Sequence, residues 1–76
     1  MPKVFATADI GTLARARRAA LGMTQTQLAD ISGCGTRFIS ELENGKQTMQ
    51  ICKVLDMLHI LGFDIYISER GADHEA

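Results

Sequence analysis

Four polar side chains that could form hydrogen bonds or ion pairs with a partner lie on one face of a short predicted helix. The helix starts near Gly35, and apolar residues at spacings of three and four predict a buried stripe of Phe38, Ile39 and Leu42. The outer face is then formed by Thr36, Arg37, Ser40 and Glu41. The sequence shows no paired nucleophile and base, no glycine-rich phosphate loop and no metal-ligand cluster, so we expect neither an enzyme nor a cofactor. These side chains indicate a binding surface.

A preceding helix must position that face. Thr24 can cap this helix, Leu28 and Ala29 supply its apolar side, and Gly33 permits the left-handed turn that ends it. Gly45 ends the helix that follows. The sequence therefore predicts two short helices joined by a tight turn.

The segment from Thr24 to Gly45 resembles the helix-turn-helix of the phage repressor (Xre/Cro-type) family, in the residues TQTQLAD, the turn glycine and the closing ISELENGK. The resemblance implies an all-α, lambda-repressor-like domain of four to five helices, whose second motif helix enters the major groove of double-stranded DNA. It implies base contacts by Thr36, Arg37 and Glu41. It also implies phosphate contacts by Gln25, Gly35, Ser40, Asn44 and Lys46. The alternative is a structural helical hairpin that binds no nucleic acid.

Some of these roles have alternatives of their own. Glu41 could accept a hydrogen bond from cytosine N4, or it could only repel phosphate. Gln25 stands at the amino end of its helix, where free backbone donors attract a phosphate. Gln25, Asn44 and Lys46 could nevertheless each be solvated surface residues.

A first helix is predicted from a cap at Thr7 or Asp9 to about Leu21, and Gly22 ends it. In the repressors that this chain resembles, the arginine three residues before the Leu-Gly pair bonds the glutamate of the "LEN" signature. Those residues are Arg18 and Glu43 in this sequence. The resemblance thus implies a structural ion pair between the first helix and the end of the second motif helix, the recognition helix. The alternative is that Arg18 binds a phosphate.

A fourth helix is predicted from Thr48 to Leu61, ended by Gly62. Its predicted apolar stripe consists of Ile51, Val54, Leu55, Leu58 and Leu61. His59 on this helix has no partner at ligand spacing, so we expect no metal site.

Residues 63–68 change to a period of two, which predicts a β-strand. Phe63, Ile65 and Ile67 point to one side of it, and Tyr66 points to the other. One strand alone leaves its backbone donors and acceptors unpaired. We therefore expect this strand to pair antiparallel with its copy across a homodimer.

The 76 residues, of which 46% are apolar, suit one small domain that association would help to stabilise. The net charge of −1 argues against a general polycation, but the charge is segregated. Residues 1–21 hold four basic side chains against one acidic, and residues 48–76 hold two against five. The absence of a long apolar run or signal peptide predicts a cytoplasmic protein without a membrane partner, and Cys34 and Cys52 are expected to be reduced thiols.

Repressor domains followed directly by GFDIYI-like sequence are similar to the HipB antitoxins, whose dimers bind operator DNA and a HipA-type kinase toxin. The resemblance implies an antitoxin that binds a palindromic operator of its own operon and neutralises a HipA-like kinase. The chain departs from the broad family in having Gln47-Thr48-Met49 where Asn-Pro-Ser is usual. A small repressor without a toxin partner is the alternative, and the neighbouring reading frame would distinguish the two.

These expectations divide the chain into four parts. They are a flexible arm (1–8), a helix-turn-helix domain (9–62), a dimerisation strand (63–68) and a polar tail (69–76).

Overall fold

Residues 1–71, which the computed structural model describes, form four α-helices and no strand. The helices are α1 (Thr7–Ala20), α2 (Gln25–Ser32), α3 (Thr36–Glu43) and α4 (Ile51–Ile60). The prediction of an all-α helix-turn-helix fold is confirmed. Helix α1 begins at Thr7, two residues inside the predicted arm (1–8), and residues 72–76 of the predicted tail lie outside the described part of the chain.

One core joins all four helices. Its fully buried side chains are Leu28 from α2, Ile39 and Leu42 from α3, Met57 from α4 and Leu61 just beyond α4. Ala14 supplies the contact from α1, where a small side chain lets the helix approach closely. Because every helix contributes to the same cluster, the position of α3 depends on all the others.

The predicted signals at the ends of α2 are confirmed. The hydroxyl of Thr24 accepts from the backbone N–H of Gln27 at 3.1 Å, and the Gln27 side chain accepts in return from the Thr24 N–H at 2.8 Å. This reciprocal pair satisfies two donors that the first helical turn would otherwise leave free. Gly33 ends the helix with φ 75°, a left-handed conformation that glycine adopts without steric penalty.

The cap of α1 differs from the prediction. Ala6, rather than Thr7 or Asp9, is the capping residue. Asp9 lies inside the first turn, and its carboxylate accepts from the N–H groups of Phe5 at 2.8 Å and Ala6 at 3.0 Å. A carboxylate at this position satisfies the free donors and complements the positive end of the helix, so a capping hydroxyl is not required.

Helix α4 is shorter and rotated relative to the prediction. It starts at Ile51 rather than Thr48, and Ile51 and Leu55 are 61% and 42% exposed. The buried stripe instead consists of Val54, Met57, Leu58 and Leu61. These residues follow the i, i+3, i+4, i+7 spacing of one helix face, and Leu55 lies beside that face.

The predicted strand is wrong for the single chain. Residues 63–69 have no regular secondary structure, and of the expected strand residues only Phe63 packs against the core. Ile65, Tyr66 and Ile67 are 50%, 70% and 95% exposed. A strand requires a second edge for its backbone hydrogen bonds, and residues 1–71 of one chain provide none.

The start of this segment is nevertheless held in place. Arg17 on α1 donates from Nε to the carbonyl oxygen of Leu61 at 2.7 Å, and the Phe63 N–H donates to Leu58 at 3.0 Å. A cation at the C-terminus of α4 also complements the helix dipole. Arg17 therefore sets the direction in which the chain leaves α4.

The backbones of α1 and α3 come into close contact at Gly11. A Cβ atom at this position would overlap the carbonyl oxygen of Leu42 and would lie 3.0 Å from that of Glu43. Glycine is required here because backbone meets backbone, and a carbonyl oxygen cannot rotate away as a side chain can.

Gly11→Ala should therefore lower the free energy of unfolding by about 3 kcal/mol, at the upper end of the usual effect of overpacking. Urea unfolding followed by circular dichroism measures it. Thr12→Ala, at the next and exposed position of the same helix, is the control and should change stability by less than about 0.5 kcal/mol. Equal unfolding midpoints for the two variants would show that α1 and α3 are not in close contact at Gly11.

Candidate nucleic-acid interface

The outer face of α3 presents its polar side chains at the helix start. Thr36 and Arg37 are exposed in the first turn, and the Arg37 side chain is 90% accessible. Ser40 and Glu41, one turn later, are partly exposed. Phe38, Ile39 and Leu42 face inward as predicted, although Phe38 is only half-buried. This face can therefore donate and accept hydrogen bonds along a groove that admits a helix.

Lys53 of α4 covers one side of the inward face. Its ammonium lies 6.0 Å from the centroid of the Phe38 ring, the outer limit of a favourable cation–π contact. The contact links the first turn of α3 to α4.

The structure links three of the predicted contact residues through one carboxylate. Oε2 of Glu41 accepts from Nε of Arg37 at 3.3 Å and from Nζ of Lys46 at 3.4 Å. Partial desolvation acts to raise the pKa of Glu41, but hydrogen bonds from Lys46 and Arg37 and their positive charges lower it overall. Glu41 is therefore ionised at neutral pH. Both pairs are exposed, so their contribution to the stability of the fold is small.

Sequence reasoning did not identify this three-residue cluster. The spacing of Arg37 and Glu41, i and i+4 on a helix, is a signal that could have predicted the first pair. Lys46 follows a turn at Gly45, whose φ of 79° folds the chain back toward Glu41. Only the conformation of that turn brings the lysine to the carboxylate.

Arg18 and Glu43 form the ion pair that the resemblance implied. Nε and Nη2 of Arg18 donate to the two carboxylate oxygens of Glu43 at 2.6 and 2.9 Å, and Nη1 donates to the Met23 carbonyl at 2.8 Å. The side chains are 15% and 3% exposed. All three guanidinium nitrogens of Arg18 are thus used inside the protein, which supports the architectural role over the phosphate-ligand alternative.

Gln25 joins the same network. Its Nε2 donates to Oε1 of Glu43 at 3.1 Å, so the carboxylate links α1, the start of α2 and the end of α3. Burial acts to raise the pKa of Glu43, but hydrogen bonds from Arg18 and Gln25, with the charges of Arg18 and Arg15, lower it overall. The Glu43 hydrogen bond likewise raises the pKa of Arg18 against partial desolvation. Both groups are therefore charged near neutral pH.

The predicted phosphate contacts fall into three places. Gln25 lies at the N-terminus of α2 with its side chain turned to Glu43, so its backbone N–H is the group offered outward. Gly35 is the exposed capping residue of α3. Asn44 donates from Nδ2 to Oγ of Ser40 at 3.4 Å, and Nζ of Lys46 donates to Oε2 of Glu41.

Metal coordination and disulfide bonding have little support within residues 1–71. The described residues contain no group of three histidine, cysteine or acidic side chains that could hold a metal, and Cys34 and Cys52 are not bonded to each other. None of the described helices is long and apolar enough to cross a membrane.

Comparisons with known proteins agree with this geometry. Residues 9–66 match a family described as "Helix-turn-helix domain". A relative from Sinorhizobium fredii, named as the uncharacterized HTH-type transcriptional regulator y4mF, is 45% identical over 69 residues that cover 91% of each chain. Among solved structures, chains from a HipB–O4 20mer complex and a HipA–HipB–O2–O3 complex superimpose with a TM-score of 0.81. Each alignment covers 91% of this chain and 97% of the other, but at 20% identity it shows the fold alone.

Glu43→Ala should reduce the free energy of unfolding by about 3 kcal/mol at neutral pH, because it leaves the Arg18 guanidinium buried without its partner. That is a large share of the stability of a domain this small. Thermal and urea unfolding measure the loss. Asp30→Ala, which removes an exposed carboxylate from α2, should change stability by about 0.5 kcal/mol or less.

The pH dependence of the free energy of unfolding provides a second test of the same ion pair. Because folding lowers the pKa of Glu43, its stabilisation is fully present above the unfolded pKa of about 4.3 and is lost as pH falls through the folded value. The stability difference between the parent and Glu43→Gln should thus be constant from about pH 5 to 7 and shrink below about pH 4. A difference that does not depend on pH would contradict a role for the Glu43 charge.

Proposed function

We propose that this chain, which belongs to the helix-turn-helix family and is an HTH-type transcriptional regulator, represses transcription by binding a palindromic operator as a homodimer. The observation that carries the proposal is the start of α3, where an almost fully exposed Arg37 projects from a helix that the Arg18–Glu43 pair anchors to α1. A rigid helix with free donors in its first turn is what reading base edges in the major groove requires.

In this proposal the contacts divide by their chemistry. Thr36 and Arg37 read base edges, since a hydroxyl and a guanidinium at the helix start reach furthest into the groove. The phosphate contacts come from the N-termini of α2 and α3, at Gln25 and Gly35, and from Ser40, Asn44 and Lys46 along the exposed edge. Contacts of this second kind position the protein and contribute no sequence preference of their own.

A dimer is supported by apolar surface that one chain leaves uncovered. Leu55, Phe63, Ile65 and Ile67 line an open groove of about 450 Å³ between α4 and the C-terminal segment. Ile67, at 95% exposure, contributes nothing to the fold of the single chain. Burying this surface against a second copy, with residues 63–68 paired antiparallel, would cover the groove and supply the missing strand edge.

The dimer matters for function because each domain recognises only half a site. Two recognition helices held about 34 Å apart, one turn of DNA, meet a palindrome from the same side. Linking the two half-site contacts raises the overall affinity without any new contact.

We further propose that the regulator is the antitoxin of a HipA-like kinase and acts in the cytoplasm. Support comes from the shared fold with HipB chains, one of which was solved together with HipA. A repressor without a toxin partner is the second candidate, because the relative at 45% identity is named as a transcriptional regulator. Co-purification of the chain with the product of the adjacent reading frame, if that frame encodes a kinase, would decide between the two.

Arg37→Ala should reduce the preference for operator over scrambled DNA by about 1–3 kcal/mol, the amount that one bidentate arginine–guanine contact supplies. Lys46→Ala is the matched control, since it also removes one exposed cation. It should weaken binding to both duplexes alike and reduce the salt dependence by about one phosphate. Gel-shift titrations on an operator selected from random DNA measure both variants. If Arg37→Ala weakens the two duplexes equally, Arg37 contacts phosphate and does not read bases.

Ile67→Asp should convert the protein to a monomer and abolish specific operator binding, because it places a charge in the proposed dimer contact. The fold of the single chain should survive, since Ile67 is 95% exposed there. Ser68→Asp adds the same charge at the neighbouring position, on the opposite side of an extended chain, and should leave the dimer intact. Sedimentation velocity and a DNA gel shift measure both variants. A dimeric Ile67→Asp protein with full operator affinity would exclude this segment from the dimer contact.

A further inference from the structure

Glu41 binds two cations, one in the first turn of α3 and one just beyond the C-terminal end of that helix. It contacts Arg37 only through Nε, and the same carboxylate oxygen accepts from Lys46. Within residues 1–71, Nη1 and Nη2 of Arg37 form no hydrogen bond, and the side chain is 90% exposed. The inner edge of the guanidinium is therefore held while its outer end is free.

We propose that Glu41 is a positioning residue that determines specificity without contacting a base: it directs the free end of Arg37 toward a guanine edge and keeps Arg37 from binding phosphate at arbitrary sequence. This inference rests on the proposed function, since it concerns how the same face of α3 distinguishes an operator from other DNA.

The first part of the argument is geometric. Guanine presents two acceptors, O6 and N7, that match the paired outer nitrogens of an arginine. An arginine held at Nε can make that contact without releasing Glu41. Fixing the guanidinium plane before binding reduces the side-chain freedom that is lost on binding.

The second part concerns charge. A phosphate that binds Arg37 competes with the Glu41 carboxylate for that cation. If it displaces Glu41, the negative charge of the carboxylate is left beside the DNA backbone, where like charges repel. Phosphate contact by Arg37 is therefore disfavoured, and contact with the neutral base edge is not. In the operator complex Arg37 contacts a base, so disfavouring its phosphate contact lowers the affinity for non-specific DNA and raises the ratio of specific to non-specific affinity.

Glu41→Gln tests the charge, since the amide keeps an acceptor for Arg37 but cannot neutralise it. On a random-sequence duplex, this variant should bind more tightly than the parent. Its plot of log affinity against log salt should be steeper by about 0.9, for one additional phosphate contact by Arg37. Asp30→Asn makes the same change of net charge at an exposed position on α2 and is the matched control. Equal slopes for Glu41→Gln and Asp30→Asn would overturn the proposal.

Glu41→Ala tests the positioning, in a double-mutant cycle with Arg37→Ala. In the parent background it should reduce discrimination against single-base changes in the selected operator by about tenfold, within the range that an arginine–guanine contact supplies. In the Arg37→Ala background it should change that discrimination by less than about twofold, because Glu41 acts through Arg37. Glu41→Gln should retain the single-base profile of the parent. A loss of discrimination that is equally large in both backgrounds would show that Glu41 acts independently of Arg37.

The outcomes separate this inference from the function on which it rests. A parent protein that selects no consensus sequence from random DNA overturns the proposed function itself. A parent that selects a consensus, with Glu41→Ala and Glu41→Gln behaving like the parent in both assays, overturns only the role of Glu41. Unchanged thermal melting of the Glu41 variants assigns any effect on DNA binding to the surface rather than to the fold.

Discussion

The buried carboxylate of Glu43 is the constraint on which the arrangement of the first three helices depends. It binds Arg18 from α1 through two hydrogen bonds and Gln25 at the start of α2 through a third, while it belongs to the last turn of α3. A buried carboxylate has to be paired, because desolvation of an unpaired charge opposes folding. The arrangements that satisfy Glu43 are therefore those in which the ends of these helices meet. The pair fixes where α3 ends, and the exposed start of the helix projects from that fixed end.

Two glutamates on α3, only two residues apart, have opposite environments. Glu43 faces inward and is 3% exposed, and all three guanidinium nitrogens of its partner Arg18 are bonded within the protein. Glu41 faces outward and is 30% exposed, with partners that are accessible to a ligand. The difference follows from helix geometry, since a step of two residues moves a side chain by about 200° around the axis. The same residue type thus serves the fold at one position and, in the function that we propose, the DNA-binding face at the other.

Steric contacts set the distance between α1 and α3, which the ion pair alone does not determine. The ion pair brings α1 and α3 together at one end, but the distance between the helices is set by Gly11, where the backbone of α1 meets the carbonyl groups of Leu42 and Glu43. Arg17, which lies beside Arg18 in the last turn of α1, donates to the carbonyl oxygen of Leu61 and directs the C-terminal segment. That segment then leaves the core with its apolar side chains largely exposed. A single helix, α1, therefore relates the recognition helix to the surface through which we propose that two copies associate.

The sequence by itself determined the local features of this protein. Thr24, Gly33 and Gly45 marked helix ends because a cap or a left-handed turn depends on a few neighbouring residues. The inward face of α3 followed from its period, and the resemblance to repressors implied the Arg18–Glu43 pair across 25 positions of the chain.

Only the tertiary structure decided the features that depend on distant parts of the chain. Periodicity could not show which side of α4 meets the other helices, so Leu55 was expected in the core and Met57 was not. The glycine contact at Gly11, the Arg17 bond to Leu61 and the attachment of Lys46 to Glu41 had no local signal. The alternation of residues 63–68 predicts a strand, but a strand forms only where a second edge completes its hydrogen bonds. A contact that depends on two distant segments cannot be predicted from the sequence of either segment alone.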